Sequence, residues 1–198
     1  TSYTNAEGIT VDITSGDALA MISTAHTLTG TSTTWSNQVT GNPAFSKAAL
    51  ELAEQIAQRN TFDNLGKNIT FKGTHIVTTN DPVTCNQVQE LIHATQNVNA
   101  TGANTYNVYS TSAAGYTHVI APRIALDSTG ARQTTYEKYW FVVDERLTSF
   151  FCNILTQPYV NTPSETNNGA DFLTENWNFL SGMAYGIAVV SPRGIVGS

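Results

Sequence analysis

Charged residues are scarce in this chain. Only 12% of its 198 residues are Asp, Glu, Lys or Arg, about half of the roughly 25% that is typical of soluble domains. The nine Lys and Arg residues are scattered, and the net charge is -6 at pH 7. Because a protein that neutralises several phosphates needs a basic stripe, the composition argues against specific nucleic-acid recognition.

Cysteines and long apolar runs are also scarce. The two cysteines, Cys85 and Cys152, are too few for a disulfide scaffold and have the wrong pattern for a zinc site, which favours intracellular synthesis. The longest nearly apolar run covers 12 residues, from 179 to 190, whereas a membrane-spanning helix needs about 20. We therefore expect no membrane segment.

Recognisable catalytic motifs are missing as well. The sequence contains no phosphate-binding loop, Gly-x-Ser-x-Gly turn, His-Glu-x-x-His helix or Cys-x-x-Cys pair. The four histidines, at positions 26, 75, 93 and 118, fall in four different predicted elements, so their spacing predicts no metal site. His75 and His118 lie in extended runs, where we expect partial burial and hydrogen bonding. We predict no enzyme activity, no metal and no cofactor.

Neutral polar residues take the place of the missing charges. The chain contains 30 Thr and 18 Asn. Neutral hydrogen-bonding groups cost less to desolvate than charges, which suits a protein that covers itself with copies of itself. Because Thr also favours strands, a secreted Thr/Asn-rich binding domain remains an alternative, which a glycan on Asn68 or Asn99 would support.

Two helices carry clear start signals. Ser46 has the position of an N-cap, and Phe45 and Leu50 have the spacing of a hydrophobic staple; this helix is predicted to end near Asn60. Asp81-Pro82 predicts the start of a second helix. The predicted buried stripes are Ala49, Leu52, Ala53 and Ile56 on the first helix, and Cys85, Val88, Leu91, Ile92 and Thr95 on the second. Glu51 and Glu54 are predicted on the solvated face of the first helix.

Extended runs fill much of the remaining chain. They lie at 1–16 (through Ile9, Val11 and Ile13), 19–23, 67–79, 117–126, 139–143, 150–155 and 179–190. The break at 127–130 predicts that the runs on either side of it are neighbouring strands. Asp144 and Arg146 then predict an ion pair at the surface or an interface, worth about 0–1 kcal/mol if it is exposed. The order of elements predicts an α+β fold, with a mixed sheet and helices on its faces.

A series of short motifs resembles a known family. Gly16-Asp17-Ala18-Leu19 is followed by Ser23-Thr24-Ala25-His26, by Ser36-Asn37 and by the segment FSKAALELAEQI. This order is similar to the Asp-Gly-x-Ala-Leu-Phe-Ser-x-x-His, Ser-Asn and Ala-Leu-Ser-x-x-Ala-Leu series of tailed-bacteriophage major capsid proteins. The runs at 73–79 and 139–144 resemble later strands of that family. The sequence departs from the family in having Gly16-Asp17 in reversed order and Thr78-Thr79 in place of two prolines.

The resemblance implies the Hong Kong 97-like shell fold. It implies that residues 1–40 form peripheral-domain strands and a loop, that 41–145 form the axial domain, and that 146–198 return through peripheral-domain strands. The family's N-terminal arm, extended loop and spine helix would precede Thr1 and are absent from this chain. We therefore expect the chain to correspond to the C-terminal portion of such a subunit.

The resemblance also implies a function. A subunit of this family forms hexamers and pentamers of an icosahedral head, is assembled in the host cytoplasm, belongs to the virion and contacts the packaged DNA only non-specifically. Other capsid or decoration proteins are its further expected partners, and a shell that encloses enzymes is the alternative. Because aromatic residues concentrate interface energy, we predict subunit contacts at Trp35, Tyr109, Tyr159 and Trp177. Trp35 has the alternative role of anchoring its loop to its own domain.

Overall fold

The computed structural model confirms a mixed α+β architecture. It describes residues 2–4, 10–12, 14–28, 32–63, 65–94, 107–110, 115–127, 129–147, 149–161 and 180–198. The helices are α1 (Lys47–Asn60), α2 (Pro82–His93) and a short 3-10 helix (Pro122–Ala125). The strands are β1 (Ser2–Thr4), β2 (Thr10–Asp12), β3 (His26–Thr27), β4 (Thr34–Trp35), β5 (His75–Thr78), β6 (Thr117–Ile120), β7 (Trp140–Val143), β8 (Ser149–Asn161), β9 (Leu180–Ser191) and β10 (Ile195–Gly197).

Four strands form the central sheet, in the order β10-β7-β5-β6. β5 and β6 are parallel and are joined through α2, whereas β7 is antiparallel to both β5 and β10. The prediction that the runs on either side of 127–130 are neighbouring strands is wrong, because β5 lies between β6 and β7. A parallel pair needs a long crossover connection, and the segment containing α2 provides it between β5 and β6. β6 thereby occupies one edge of β5, and β7 pairs with the other edge.

Helix α1 begins and ends as the sequence predicts. Ser46 is its N-cap and accepts a hydrogen bond from the Ala49 backbone N–H at 3.1 Å. The buried stripe is shifted from the predicted one, however, because it consists of Ala49, Leu50, Ala53 and Ala57. Leu52 is 36% exposed, so its predicted place in the core is wrong. The helix packs against β7 and β10.

Helix α2 also begins at its predicted signal. Asp81 is the N-cap, and its carboxylate accepts hydrogen bonds from the backbone and the hydroxyl of Thr84 at 2.9 and 2.7 Å. Val88, Leu91 and Ile92 are buried as predicted. Cys85 is only half-buried, with its sulfur 3.3 Å from the Thr79 carbonyl oxygen. Thr95 lies outside the described residues.

The other predicted extended runs have mixed outcomes. β1 and β2 pair with each other through Tyr3 and Val11, while Ile9 and Ile13 lie outside the described residues. The predicted strand at 19–23 is wrong, since turns and bends occupy this region and the Ser15 backbone N–H bonds the Leu19 carbonyl at 2.8 Å. The run at 67–79 becomes a strand only at β5. The runs that form β8 and β9 are confirmed as strands.

The chain divides into two compact units. The first contains residues 1–149 and 189–198, and the second contains residues 150–188. The first unit holds the central sheet and its core, in which Phe45, Phe71, Trp140 and Val142 are buried together. The second contains most of β8 and β9. The boundaries of the axial domain, which the resemblance places at residues 41 and 145, remain a prediction.

Candidate functional site: an uncharged ribbon and a buried polar network

Strands β8 and β9 pair with each other as a two-stranded sheet, which we call the ribbon. The ribbon carries no Asp, Glu, Lys or Arg. Most of its large apolar side chains are nevertheless between 41% and 73% exposed. They are Phe150, Phe151, Ile154, Leu155, Tyr159, Val160, Leu180, Met183, Tyr185, Ile187 and Val190, whereas Val189 is half-buried. Contiguous exposed apolar surface of this kind is typical of a contact site, not of free protein surface.

The two faces of the ribbon differ in chemistry. Side chains alternate between faces along a strand, and a Cβ on Gly182 would lie 2.9 Å from the Tyr159 hydroxyl, so these two residues share a face. Alternation then assigns the other side chains of 150–160 and 180–190. The apolar face contains Phe150, Cys152, Ile154, Thr156, Pro158 and Val160 of β8 with Ser181, Met183, Tyr185, Ile187 and Val189 of β9. The small-residue face contains Phe151, Asn153, Leu155, Gln157 and Tyr159 of β8 with Leu180, Gly182, Ala184, Gly186, Ala188 and Val190 of β9.

The edges of the ribbon differ as well. Pro158 lacks a backbone N–H and is tolerated in a sheet where that N–H would point away from the partner strand, so it interrupts the free edge of β8. β9 contains neither proline nor a charged residue, which are the usual means of protecting an edge strand. Among the described residues, no third strand pairs with either edge. The ribbon therefore offers an apolar face and one unprotected edge.

A buried polar network lies in the first unit. The ring of His26 is fully buried, with Nδ1 2.6 Å from a carboxylate oxygen of Asp17 and Nε2 3.1 Å from the amide oxygen of Asn37. Trp35 packs on the ring, with 4.7 Å between the ring centroids. The loop after β2, the β3-β4 hairpin and Asn37, the second residue after β4, thus meet at one imidazole.

Asn37 joins this network to the C-terminal segment. Its amide oxygen accepts a hydrogen bond from the Ser23 backbone N–H at 2.8 Å. Its amide nitrogen is 2.8 Å from the Met21 carbonyl oxygen and 3.1 Å from that of Ile195. These partners fix the amide orientation, because the nitrogen must face the carbonyl oxygens. The amide oxygen therefore faces His26.

Both ring nitrogens of His26 have a polar partner. A carboxylate can only accept a hydrogen bond, so Nδ1 donates to Asp17. Burial opposes ionisation of Asp17, but hydrogen bonds from Ser15 and His26 and the charge interaction with His26 hold the pKa of Asp17 below its usual value. Asp17 and His26 thus form a close hydrogen-bonded pair, in which the imidazole is fully buried and the carboxylate is 15% exposed.

The network lacks the geometry of a catalytic triad. Ser15 bonds Asp17, not His26, so the imidazole has no hydroxyl to activate. The ring is also inaccessible to a substrate, since His26 is fully buried. What the network does is connect residues 17–37 to the C-terminal segment, since Asn37 and Ile195 are 158 residues apart.

Two of the four predicted contact residues are buried in the chain's own core. Trp35 is 7% exposed and Tyr109 is 6% exposed. Trp35 packs on His26, which is the alternative role named for it, and the Tyr109 hydroxyl donates to the Glu54 carboxylate at 3.1 Å. Little of either ring is left for another subunit. Tyr159 is 41% exposed on the small-residue face, and Trp177 lies outside the described residues.

Glu54 is not the solvated residue that its helical position suggests. Its carboxylate accepts hydrogen bonds from the hydroxyls of both Tyr109 and Tyr116. Burial, and after it the nearby negative charge of Glu54, raises the pKa of both tyrosines above the usual value. The prediction of a solvated carboxylate is wrong, because two residues distant in sequence reach over α1.

Asp144 likewise does more than form an ion pair with Arg146. It is fully buried, whereas Arg146 is exposed and donates to it at 2.7 Å. The Asp144 carboxylate also accepts from the backbone N–H of Lys72 at 2.7 Å. Burial opposes its ionisation, but the hydrogen bonds from Arg146 and Lys72 lower its pKa. Asp144 thereby ties the end of β7 to the chain before β5.

The remaining histidines do not converge. His75 bonds the Thr74 hydroxyl at 2.9 Å, and His118 bonds Thr78 at 2.8 Å and Gln89 at 2.8 Å, which confirms their predicted hydrogen bonding. Within the described ranges, no group of three or more His, Cys, Asp and Glu residues could hold a metal ion. None of the helices in these ranges has the length and apolar character to cross a membrane.

A shallow depression lies beside α1. It has a volume of about 390 Å³ and is lined by Glu51, Glu54, Gln55, Gln58, Arg59 and Tyr109. It is open to solvent and brings together no nucleophile with a base. Its side chains suit a solvated surface better than an enclosed ligand.

Comparisons with known proteins complete these observations. A scan against protein-family models, a search of curated proteins and a search of solved structures gave no match. The function is therefore inferred from the ribbon, the buried polar network and the motifs in the sequence.

Sequence reasoning missed the two features that organise this site. The sequence predicts strands at 150–155 and 179–190 but does not show that both faces of the ribbon are exposed, because an apolar run is also typical of a buried strand. Asp17, His26 and Asn37 occur in the family-like motifs, but the motifs alone do not predict that they contact one another. The spacing of a carboxylate, an imidazole and an amide around a short hairpin was the available signal.

Proposed function

We propose that this protein is a structural subunit of a self-assembling shell, the major capsid protein of a tailed bacteriophage with the Hong Kong 97-like fold. The observation that carries the proposal is the ribbon, in which an uncharged sheet leaves large apolar side chains exposed. Free proteins seldom tolerate such a surface. A shell subunit requires it, because its neighbours cover it after assembly.

The buried network supports the same proposal. Asp17, His26 and Asn37 belong to the motifs that resemble the capsid family, and they contact one another in the first unit. This convergence gives the motif residues a structural reason to occur together. A role in holding the subunit rigid suits a shell, since rigid parts lose less conformational entropy on association.

The partners follow from this role. Copies of the chain would associate as hexamers and pentamers through heterologous contacts that close into rings, and many weak contacts would add through multivalency. With a net charge of -6, contact with packaged DNA would be non-specific. Decoration proteins are further candidates, the place of the protein is the virion, and the role is structural, with no cofactor or catalysis.

Electron microscopy of the natively purified protein tests the proposal. We expect closed particles of uniform size that contain DNA or can be filled with it. Particles that instead enclose a folded protein cargo would select the alternative, an enzyme-compartment shell. Material that stays monomeric at every concentration tested would refute both forms of the proposal.

A further inference from the structure

The apolar face of the ribbon can be assigned a specific occupant. Of its side chains, Phe150, Ile154, Val160, Met183, Tyr185 and Ile187 are 48–66% exposed. We propose that this face packs against the apolar face of the ribbon of a second copy of the chain. The inference rests on the proposed function in requiring self-association, and it adds which surface the copies use.

Charge favours a second copy over a charged partner. Neither strand of the ribbon contains an ionisable Asp, Glu, Lys or Arg side chain. An oppositely charged protein, nucleic acid or acidic lipid surface would find no complementary charge there. Two identical uncharged faces meet without like-charge repulsion, and a two-fold axis makes such a contact self-complementary.

The area also fits. The six large side chains each leave roughly 100 Å² exposed, because an aromatic side chain such as Phe150 or Tyr185 can bury about 150–250 Å² and the four aliphatic ones are somewhat smaller. Together with the exposed Cys152, Thr156 and Pro158, the face offers roughly 800 Å² per copy, which is the area that each partner buries in a standard stable interface. The face is therefore large enough to hold two copies together without a third component.

The packing geometry can be specified. Two sheets that pack face to face lie about 10 Å apart, with their side chains interdigitated. Cys152 belongs to the apolar face and is a free thiol. In the proposed contact it becomes shielded from water and comes within reach of the partner's ribbon. This native thiol provides a probe that requires no substitution.

The test compares the reactivity of the Cys152 thiol in the associated and in the denatured protein. A maleimide that labels Cys152 fully in denatured protein should label the associated form at least tenfold more slowly. Cys85→Ser leaves Cys152 as the only thiol of the chain, and Cys152→Ser is the control that removes its signal.

Paired lysine substitutions locate the contact. Ile187→Lys places a charge on the apolar face, and Ala188→Lys places the same charge on the adjacent residue of the small-residue face. Because an unpaired buried charge costs several kcal/mol, Ile187→Lys should weaken self-association by roughly 100-fold or more. Ala188→Lys should change it by less than about threefold. Equal effects would overturn the inference.

The outcomes separate this inference from the proposed function. Closed particles in which Cys152 reacts freely, or in which Ile187→Lys and Ala188→Lys have equal effects, would overturn the ribbon contact and leave the shell intact. A dimer in which Cys152 is protected and which Ile187→Lys weakens, but which forms no particles, would support the contact and refute the shell. A monomer would overturn both, even one in which Cys152 is shielded by another part of its own chain.

Discussion

Removal of the His26 side chain offers a sensitive test of the buried network. His26→Ala leaves the Asp17 carboxylate without the hydrogen bond from Nδ1, in a site where the imidazole itself is fully buried. A hydrogen bond to a charged group contributes about 1.5–3 kcal/mol. For a domain of this size, about 2–4 °C of melting temperature correspond to each kcal/mol, so we expect a decrease of roughly 3–12 °C.

Guanidinium unfolding followed by tryptophan fluorescence measures this loss. Trp35 packs on the imidazole, so it reports on the same region. His93→Ala is the matched control, because His93 is exposed on α2, and it should change the free energy of unfolding by less than about 0.5 kcal/mol. The losses in the free energy of unfolding caused by Asp17→Asn and His26→Ala should be non-additive in the double variant. A loss below about 1 kcal/mol for His26→Ala, or strict additivity, would refute a stabilising contact between His26 and Asp17.

Three further predictions concern the first unit. The pKa values of Asp17 and Asp144 are lowered in the folded chain. Their ionised forms therefore stabilise the fold fully above the unfolded pKa of about 3.9, and this stabilisation is lost as the pH falls through the lowered folded values. The urea midpoint of the wild type should decrease over this acidic range, and that of Asp144→Asn should decrease less. Tyr116→Phe removes a hydrogen bond to the charged Glu54 and should cost about 1.5–3 kcal/mol in chemical denaturation, and a neutral result would mean that water replaces the hydroxyl. Ser46→Ala removes the N-cap of α1 and should cost about 1 kcal/mol by the same assay, with restoration by Asp as the control.

The local features of the fold were predictable from the sequence. Ser46 and Asp81 identify the two helix starts because an N-cap depends only on residues within one turn. The phase of α1 was harder to predict, since Leu50 and Leu52 are both apolar. Only the position of β7 and β10 determines that Leu50 faces the core.

The features that were missed depend on residues far apart in the chain. The order of the central sheet follows from the insertion of β5 between β6 and β7, which no local pattern encodes. Glu54 is covered by Tyr109 and Tyr116, more than 50 residues further along. In each case, a partner distant in sequence overrides what the local periodicity suggests.

Sedimentation velocity of the natively purified protein over a range of concentrations tests the central claim most directly. If the protein is a shell subunit, a species of many copies should dominate. A single species that sediments as one chain of 21.3 kDa at all concentrations would contradict the account.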